Sequence, residues 1–210
     1  PAERSPPAPF LTPLRHYQKQ TLAFMMDVEE SGTSWKMTHT NGVNDPELEM
    51  ETRGGWICSE VGMGKTATVL ALVAAKPQAK LQSLPKIHGF RRSKATFVMT
   101  SVSLMGQWED ECKKHAPHLK VVRLHPSSQI SKRTKITRKD LFNADIIISS
   151  ATIDWGKHPL MNSSRVFFHR VVMDESHLFY ARASSAKVGY AKDIAAASRY
   201  DFKFLLKMKN

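Results

Sequence analysis

Apolar residues recur along this chain with two periods. In LRHYQKQTLAFMMDVEE, Leu14, Tyr17, Leu22, Met25 and Met26 fall near helical spacing, which predicts an amphipathic helix with Thr12 as N-cap and Pro13 in its first turn. Short runs that are apolar throughout predict strands at 55–58, 97–100, 121–124, 146–149 and 171–173, with helices at 65–75 and about 104–115 between them. Strands without polar alternation that take turns with helices imply an α/β fold, a mostly parallel sheet flanked by helices on both faces. Residues 31–53 carry Gly, Asn, Asp and Pro without periodicity and read as an irregular insertion. Residues 1–10, with prolines at 1, 6, 7 and 9, read as an extended Pro-rich tail or linker.

With 210 residues, 41% of them hydrophobic, the chain can bury the core of one α/β domain. Lys and Arg outnumber Asp and Glu by 31 to 19, for a net charge of +12, and this favours a polyanionic partner such as nucleic acid or an acidic surface. The positive field belongs to the middle of the chain. No acid lies between Glu60 and Glu109 or between Lys113 and Lys139, whereas Lys and Arg are frequent in both stretches. Cys58 and Cys112 lack the paired spacing of a zinc site and cannot form a disulfide framework, so a reducing compartment fits. No run approaches a membrane span, and the first ten residues lack the apolar core of a signal peptide.

Two segments carry chemistry. CSEVGMGKTATVLAL follows an apolar run and opens a helix, the context of a phosphate-binding loop. Gly62 and Gly64 let the backbone N–H groups around Met63 curl about phosphates, and the helix presents its positive end to the anion. Lys65 would reach the β- and γ-phosphates of ATP, and the Thr66 hydroxyl would ligate Mg²⁺. Ser59 stands where the general pattern has a glycine. The second segment, FFHRVVMDESHLF, is an apolar run ending in carboxylates: Asp174 would hold Mg²⁺, and Glu175 would orient and deprotonate the attacking water.

Together these segments resemble helicase superfamily two, and more narrowly the Swi/Snf-type ATPases, in the branch containing the helicase-like transcription factor and the post-replication-repair ubiquitin ligases. DESH differs from the family's DEAH box by Ser176 for Ala. The resemblance covers about residues 11–200 and identifies that stretch as a RecA-like P-loop NTPase lobe. By it, Gln18 reads the adenine edge, and Tyr17 or His16 helps enclose the base. Gly54 and Gly55 of RGGWICSE match the entry to the phosphate loop. In SVSLMGQWEDE, Ser101 replaces the usual Pro; the resemblance makes Ser103 and Gly106 contacts to the DNA backbone, while Trp108 reads as core packing. In ADIIISSATI, Ser149, Ser150 and Thr152 take the places that touch the tracked strand, with Ala151 where the family has Tyr.

After DESH the family pattern continues to Leu-Thr-Gly-Thr-Pro, which is absent here, so residues 201–210 are expected as a divergent basic C-terminal tail. The resemblance implies the ATP-binding lobe of a double-stranded-DNA translocase, using ATP and Mg²⁺, in DNA repair or chromatin remodelling in the nucleus, with chromatin or repair proteins as partners and no membrane. The 210 residues hold no second lobe, so little activity is expected of them alone. Two alternatives remain open at this point: a DEAH-like RNA helicase lobe, and a decayed, non-catalytic nucleic-acid-binding module.

Overall fold

The structure, a computed structural model, describes residues 2–37, 48–52, 54–77, 90–124, 136–150, 166–175 and 200–206. Six strands form one sheet in the order β3 (Gly54–Ile57), β8 (Tyr200–Leu206), β7 (Val166–Met173), β4 (Arg91–Thr100), β6 (Ile146–Ser150) and β5 (Val121–Leu124). Every neighbouring pair is parallel. All six strands therefore end on one edge, where the segments after β3, β4 and β7 meet, and open parallel sheets bind ligands at that edge.

The expected basic tail is corrected here. Residues 200–206 are strand β8, hydrogen-bonded on one side to β7, with Phe202 opposite Arg170, and on the other to β3, with Leu205 opposite Trp56. Residues 207–210 lie outside the described residues. The strands carrying the phosphate loop and Asp174 are therefore next-nearest neighbours. At about 4.8 Å per strand step their ends are roughly 10 Å apart, which leaves room for an extended polyphosphate.

Helices cover both faces, as the apolar strands require. α1 (His16–Ser31), α2 (Lys65–Ala75) and α3 (Met105–His115) pack one face, in a cluster with Val98, Ile146, Ile148 and Val172. The alternate residues of the same strands, Phe97, Met99, Ile147, Val171 and Met173, join Leu141 and Phe142 of a short helix, α4 (Arg138–Asn143), on the other. This alternation is the period of two seen from within a doubly covered sheet. α4 escapes the apolar pattern because it is so short; Thr137 caps it, its hydroxyl accepting the Asp140 N–H at 3.3 Å.

Three local expectations change. α1 starts at His16, not beside Thr12, and the Arg15 N–H donates to Gln18 Oε1 at 2.9 Å. Thr12 Oγ1 instead lies 2.5 Å from His115 Nδ1, while the Leu11 N–H donates to His115 O at 2.8 Å, fastening the N-terminal segment to α3. The Pro-rich segment lies along α1, with Arg4 pairing Asp27 at 3.1 Å. Within the stretch read as an irregular insertion, β1 (Thr33–Met37) and β2 (Leu48–Thr52) pair antiparallel.

Candidate functional site

The phosphate loop runs from Cys58 to Gly64 between β3 and α2. Gly62 has φ +80° and Gly64 φ +71°, the left-handed region where a side chain is strained. A Cβ on Gly64 would stand 2.4 Å from Gln18 Nε2. Glycine there admits the Gln18 amide, whose Nε2 donates to Met63 O at 3.1 Å. The Lys65 ammonium donates to Ser59 O at 2.9 Å and Glu60 O at 3.0 Å, so it lies across the loop and gives the loop a fixed positive charge.

Asp174 follows the last residue of β7. Its N–H donates to Met99 O at 2.8 Å, extending the β4–β7 pairing by one step. Its carboxylate is buried: Oδ2 accepts the Trp108 indole N–H at 2.8 Å and the Thr100 hydroxyl at 3.3 Å, and Oδ1 accepts the Glu175 N–H at 3.0 Å. Glu175 is half-buried and has φ +50°, a left-handed conformation costing a non-glycine residue roughly 1–2 kcal/mol. Strain of this kind collects at functional sites.

These pieces share one cavity of about 800 Å³. Gly62, Gly64, Lys65 and Thr66 line one wall, and Asp174 and Glu175 another. Gln18 and Arg15 form the α1 end, and Ser103, Leu104 and Gln107 the α3 end. The residues present fit a metal-bound polyphosphate. Two backbone-exposing glycines and a lysine suit an anion, Thr66 is half-buried on the cavity wall, and Asp174 Oδ1 has one accepted hydrogen bond and a lone pair to spare.

The other expected residues are placed less uniformly. Ser103 is exposed in a one-turn 3₁₀ segment (Val102–Leu104), and Gly106 lies in the first turn of α3 with open space where a Cβ would project. Met63 does not line the cavity: its carbonyl is taken by Gln18 and its N–H donates to Glu60 O at 3.4 Å. His16 and Tyr17 are also outside the lining, His16 facing Glu3 at 3.1 Å. Ser149 and Ser150 are corrected. Both are 0% exposed at the end of β6, where the register places Ser150 against Thr100, so they are interior residues and present no surface to a strand. Thr152 and Ser176 lie outside the described residues.

Trp108 is buried, as its pattern implied, but its polar end carries a role that spacing did not reveal. The available signal was chemical: a buried indole N–H needs an acceptor. Arg15 also went unremarked, for it carries no motif and reaches the cavity only because α1 starts one residue after it.

Comparison with known proteins follows the same lines. The family model described as SNF2-related domain matches residues 17–199. The TATA-binding protein-associated factor MOT1 of Saccharomyces cerevisiae is 29% identical over 147 residues, which cover 69% of this chain and 8% of that protein. The DNA repair protein rad5 of Emericella nidulans is 24% identical over 257 residues, covering 94% of this chain and 21% of that protein. Among solved structures, the Sulfolobus solfataricus SWI2/SNF2 ATPase core in complex with dsDNA superposes with a TM-score of 0.63 at 18% identity, covering 96% of this chain and 33% of that one. The chain thus spans a small part of these relatives' length.

Proposed function

Because this chain belongs to the family of SNF2-related domains, we propose that it is the ATP-binding lobe of an ATP-dependent double-stranded-DNA translocase of the Swi/Snf type. One observation carries the reading: the glycine loop with Lys65 and Thr66, and the carboxylates of Asp174 and Glu175, open into a single cavity although 110 positions separate Gly64 from Asp174.

The triphosphate lies on the N–H groups of Gly62 and Gly64 and the N-terminus of α2, with Lys65 neutralising the β- and γ-oxygens. Gln18, at the α1 end, reads the adenine edge. Thr66 and Asp174 would hold Mg²⁺, which when bound would supply positive charge to offset that building on the transferred group. Glu175 orients a water and takes its proton as the water oxygen bonds to the γ-phosphorus and the β–γ bridging bond breaks, releasing ADP and phosphate.

DNA runs past the α3 end of the cavity, its backbone on Ser103 and the N–H groups near Gly106. The basic middle of the chain adds attraction that does not depend on base sequence. The chain covers 33% of the solved SWI2/SNF2 core, and an arginine supplied from outside the phosphate loop is worth about 10³–10⁵ in rate. These residues alone therefore bind ATP and hydrolyse it slowly. In the full-length parent protein the work is in DNA repair or chromatin remodelling in the nucleus, with chromatin or repair proteins as partners.

The test is titration with a fluorescent ATP analogue and Mg²⁺, beside Lys65→Ala. Binding that Lys65→Ala weakens at least about ten-fold supports the nucleotide site. Absent binding, or binding indifferent to Lys65, identifies a decayed module instead. Duplex DNA should bind with an affinity that falls steeply with salt. Stimulation of the full-length parent by RNA and not by duplex DNA would replace the substrate.

A further inference from the structure

Trp108 is 1% exposed and belongs to the core formed by α1, α2 and α3. Packing alone would be served by any large apolar ring, yet its indole N–H is spent on one atom, Asp174 Oδ2, at 2.8 Å. Thr100, the last residue of β4, donates to the same oxygen at 3.3 Å. A carboxylate oxygen has about two lone-pair sites, so two donors engage Oδ2 fully, whereas Oδ1 holds the Glu175 N–H and keeps acceptor capacity.

The two oxygens are therefore unlike. Swinging the carboxylate out of this orientation would strip the buried indole of its acceptor, and an unmatched polar group in the interior is costly. The donors come from different elements, α3 and β4, each fixed by its own packing. Tryptophan suits the task because its ring is rigid and its donor sits at the tip of a large apolar body.

We propose that Trp108 is a positioning residue: its indole N–H, with the Thr100 hydroxyl, locks Asp174 so that Oδ1 is the oxygen given to the phosphate-bound metal. This deepens the nucleotide-site reading above and rests on it. Trp108 borders the same cavity but is 1% exposed, and its one polar group is engaged by Asp174. Its influence passes through the orientation of Asp174, as partners behind a metal ligand commonly do.

The experiment uses the 210-residue chain, Trp108→Phe, which keeps the ring and removes the donor, and Thr100→Val. A slowly hydrolysed fluorescent ATP analogue is titrated in EDTA and again in excess Mg²⁺. The ratio of the two affinities isolates the metal's contribution. In EDTA both variants should bind within about two-fold of the parent, while the gain on adding Mg²⁺ should fall on the order of ten-fold in Trp108→Phe and less in Thr100→Val. A purely structural role would lower both affinities together, and a Mg²⁺ gain that survives Trp108→Phe would overturn the proposal.

If Trp108→Phe does not fold, the parent still answers. Its Trp108 indole ¹H–¹⁵N resonance, identified by eliminating those of Trp35, Trp56 and Trp155 through Phe substitutions, should shift when Mg²⁺ is added to nucleotide-saturated protein. A resonance that stays in place rejects the lock. Failure of the nucleotide reading looks different, since the parent would then show no Lys65-dependent binding in either condition.

Discussion

Glu29, near the end of α1, and Arg170, in the middle of β7, form a two-point ion pair with side chains 2% and 1% exposed. Arg170 Nε and Nη2 donate to the two carboxylate oxygens, the latter at 2.8 Å, and Nη2 also donates to Lys76 O at 3.2 Å beyond α2. The pair ties the helix that carries Gln18 to the strand that delivers Asp174. Removing one partner strands a charge in the interior, so Glu29→Gln should destabilise the chain by about 3–5 kcal/mol. Replacing both with apolar residues of similar volume should recover most of the loss. Urea unfolding of the unaltered chain and the two variants measures this, and a loss under about 1 kcal/mol for Glu29→Gln would mean that the pair is effectively solvated.

Strand β8 pairs on both sides, and β3 has no other partner in the sheet among the described residues. A chain ending at Arg199 should lose its cooperative thermal transition, because the phosphate loop's own strand is then unsupported. A near-native melting curve for that truncation would contradict the central placement of 200–206.

The loop glycines should not be equivalent. An alanine at Gly62 meets nothing within 4 Å but must adopt φ +80°, whereas one at Gly64 must adopt φ +71° and also displace Gln18. Gly62→Ala should cost roughly 1–2 kcal/mol of stability. Gly64→Ala should cost more, with the excess removed by adding Gln18→Ala. Equal losses in denaturant titrations of the single variants would dismiss the Gln18 contact as a cause.

Gly106 lies in the first turn of α3 with open space around its Cα. Alanine there should raise stability by up to about 0.5–1 kcal/mol. If a phosphate approaches this backbone, the same variant should weaken duplex DNA binding while Lys65-dependent nucleotide binding stays unchanged. Calorimetric melting and fluorescence anisotropy together read the two effects, and DNA affinity that does not change removes Gly106 from the interface.

The two thiols should react at very different rates. Cys58 is exposed, while Cys112 is buried in α3, where burial first, and then the charges of Glu109 and Glu111, push its thiol up to about 12 from an ordinary 9.0. A neutral, enclosed thiol is a poor nucleophile. A thiol reagent at pH 8 should modify one cysteine per native chain and two per unfolded chain. Because the folded value is the higher one, the protonated Cys112 favours the folded state fully below pH 9, and stability should decline between about pH 9 and pH 12. Cys112→Ala should flatten that part of the alkaline profile.

Most of the candidate site was legible because its residues are local in the chain. Gly62, Gly64, Lys65 and Thr66 form one turn and the helix start after it, and Asp174 and Glu175 end one apolar run, so a strand followed by a glycine turn and a strand followed by carboxylates are patterns of adjacent residues. β8 was less legible. Tyr200, Phe202 and Phe204 alternate with Asp201 and Lys203, a period-two signal, but the lysines after it gave the stretch the look of a basic tail. Ser149 and Ser150 misled in the other direction, since small hydroxyl residues at a strand end look like surface and here lie inside.

The order of residues by itself determined five of the strands and three of the helices, that the sheet is mostly parallel and covered on both faces, and which side chains are candidates to hold a phosphate. Only the tertiary structure decided that β8 separates the strands bearing Lys65 and Asp174, that Arg170 pairs with Glu29, and that Trp108 hydrogen-bonds Asp174. Periodicity reports how a segment faces the core as a whole. The choice of neighbour across the sheet, and of one acceptor for one buried donor, is made by packing among residues far apart in the chain, and no window along the sequence contains them together.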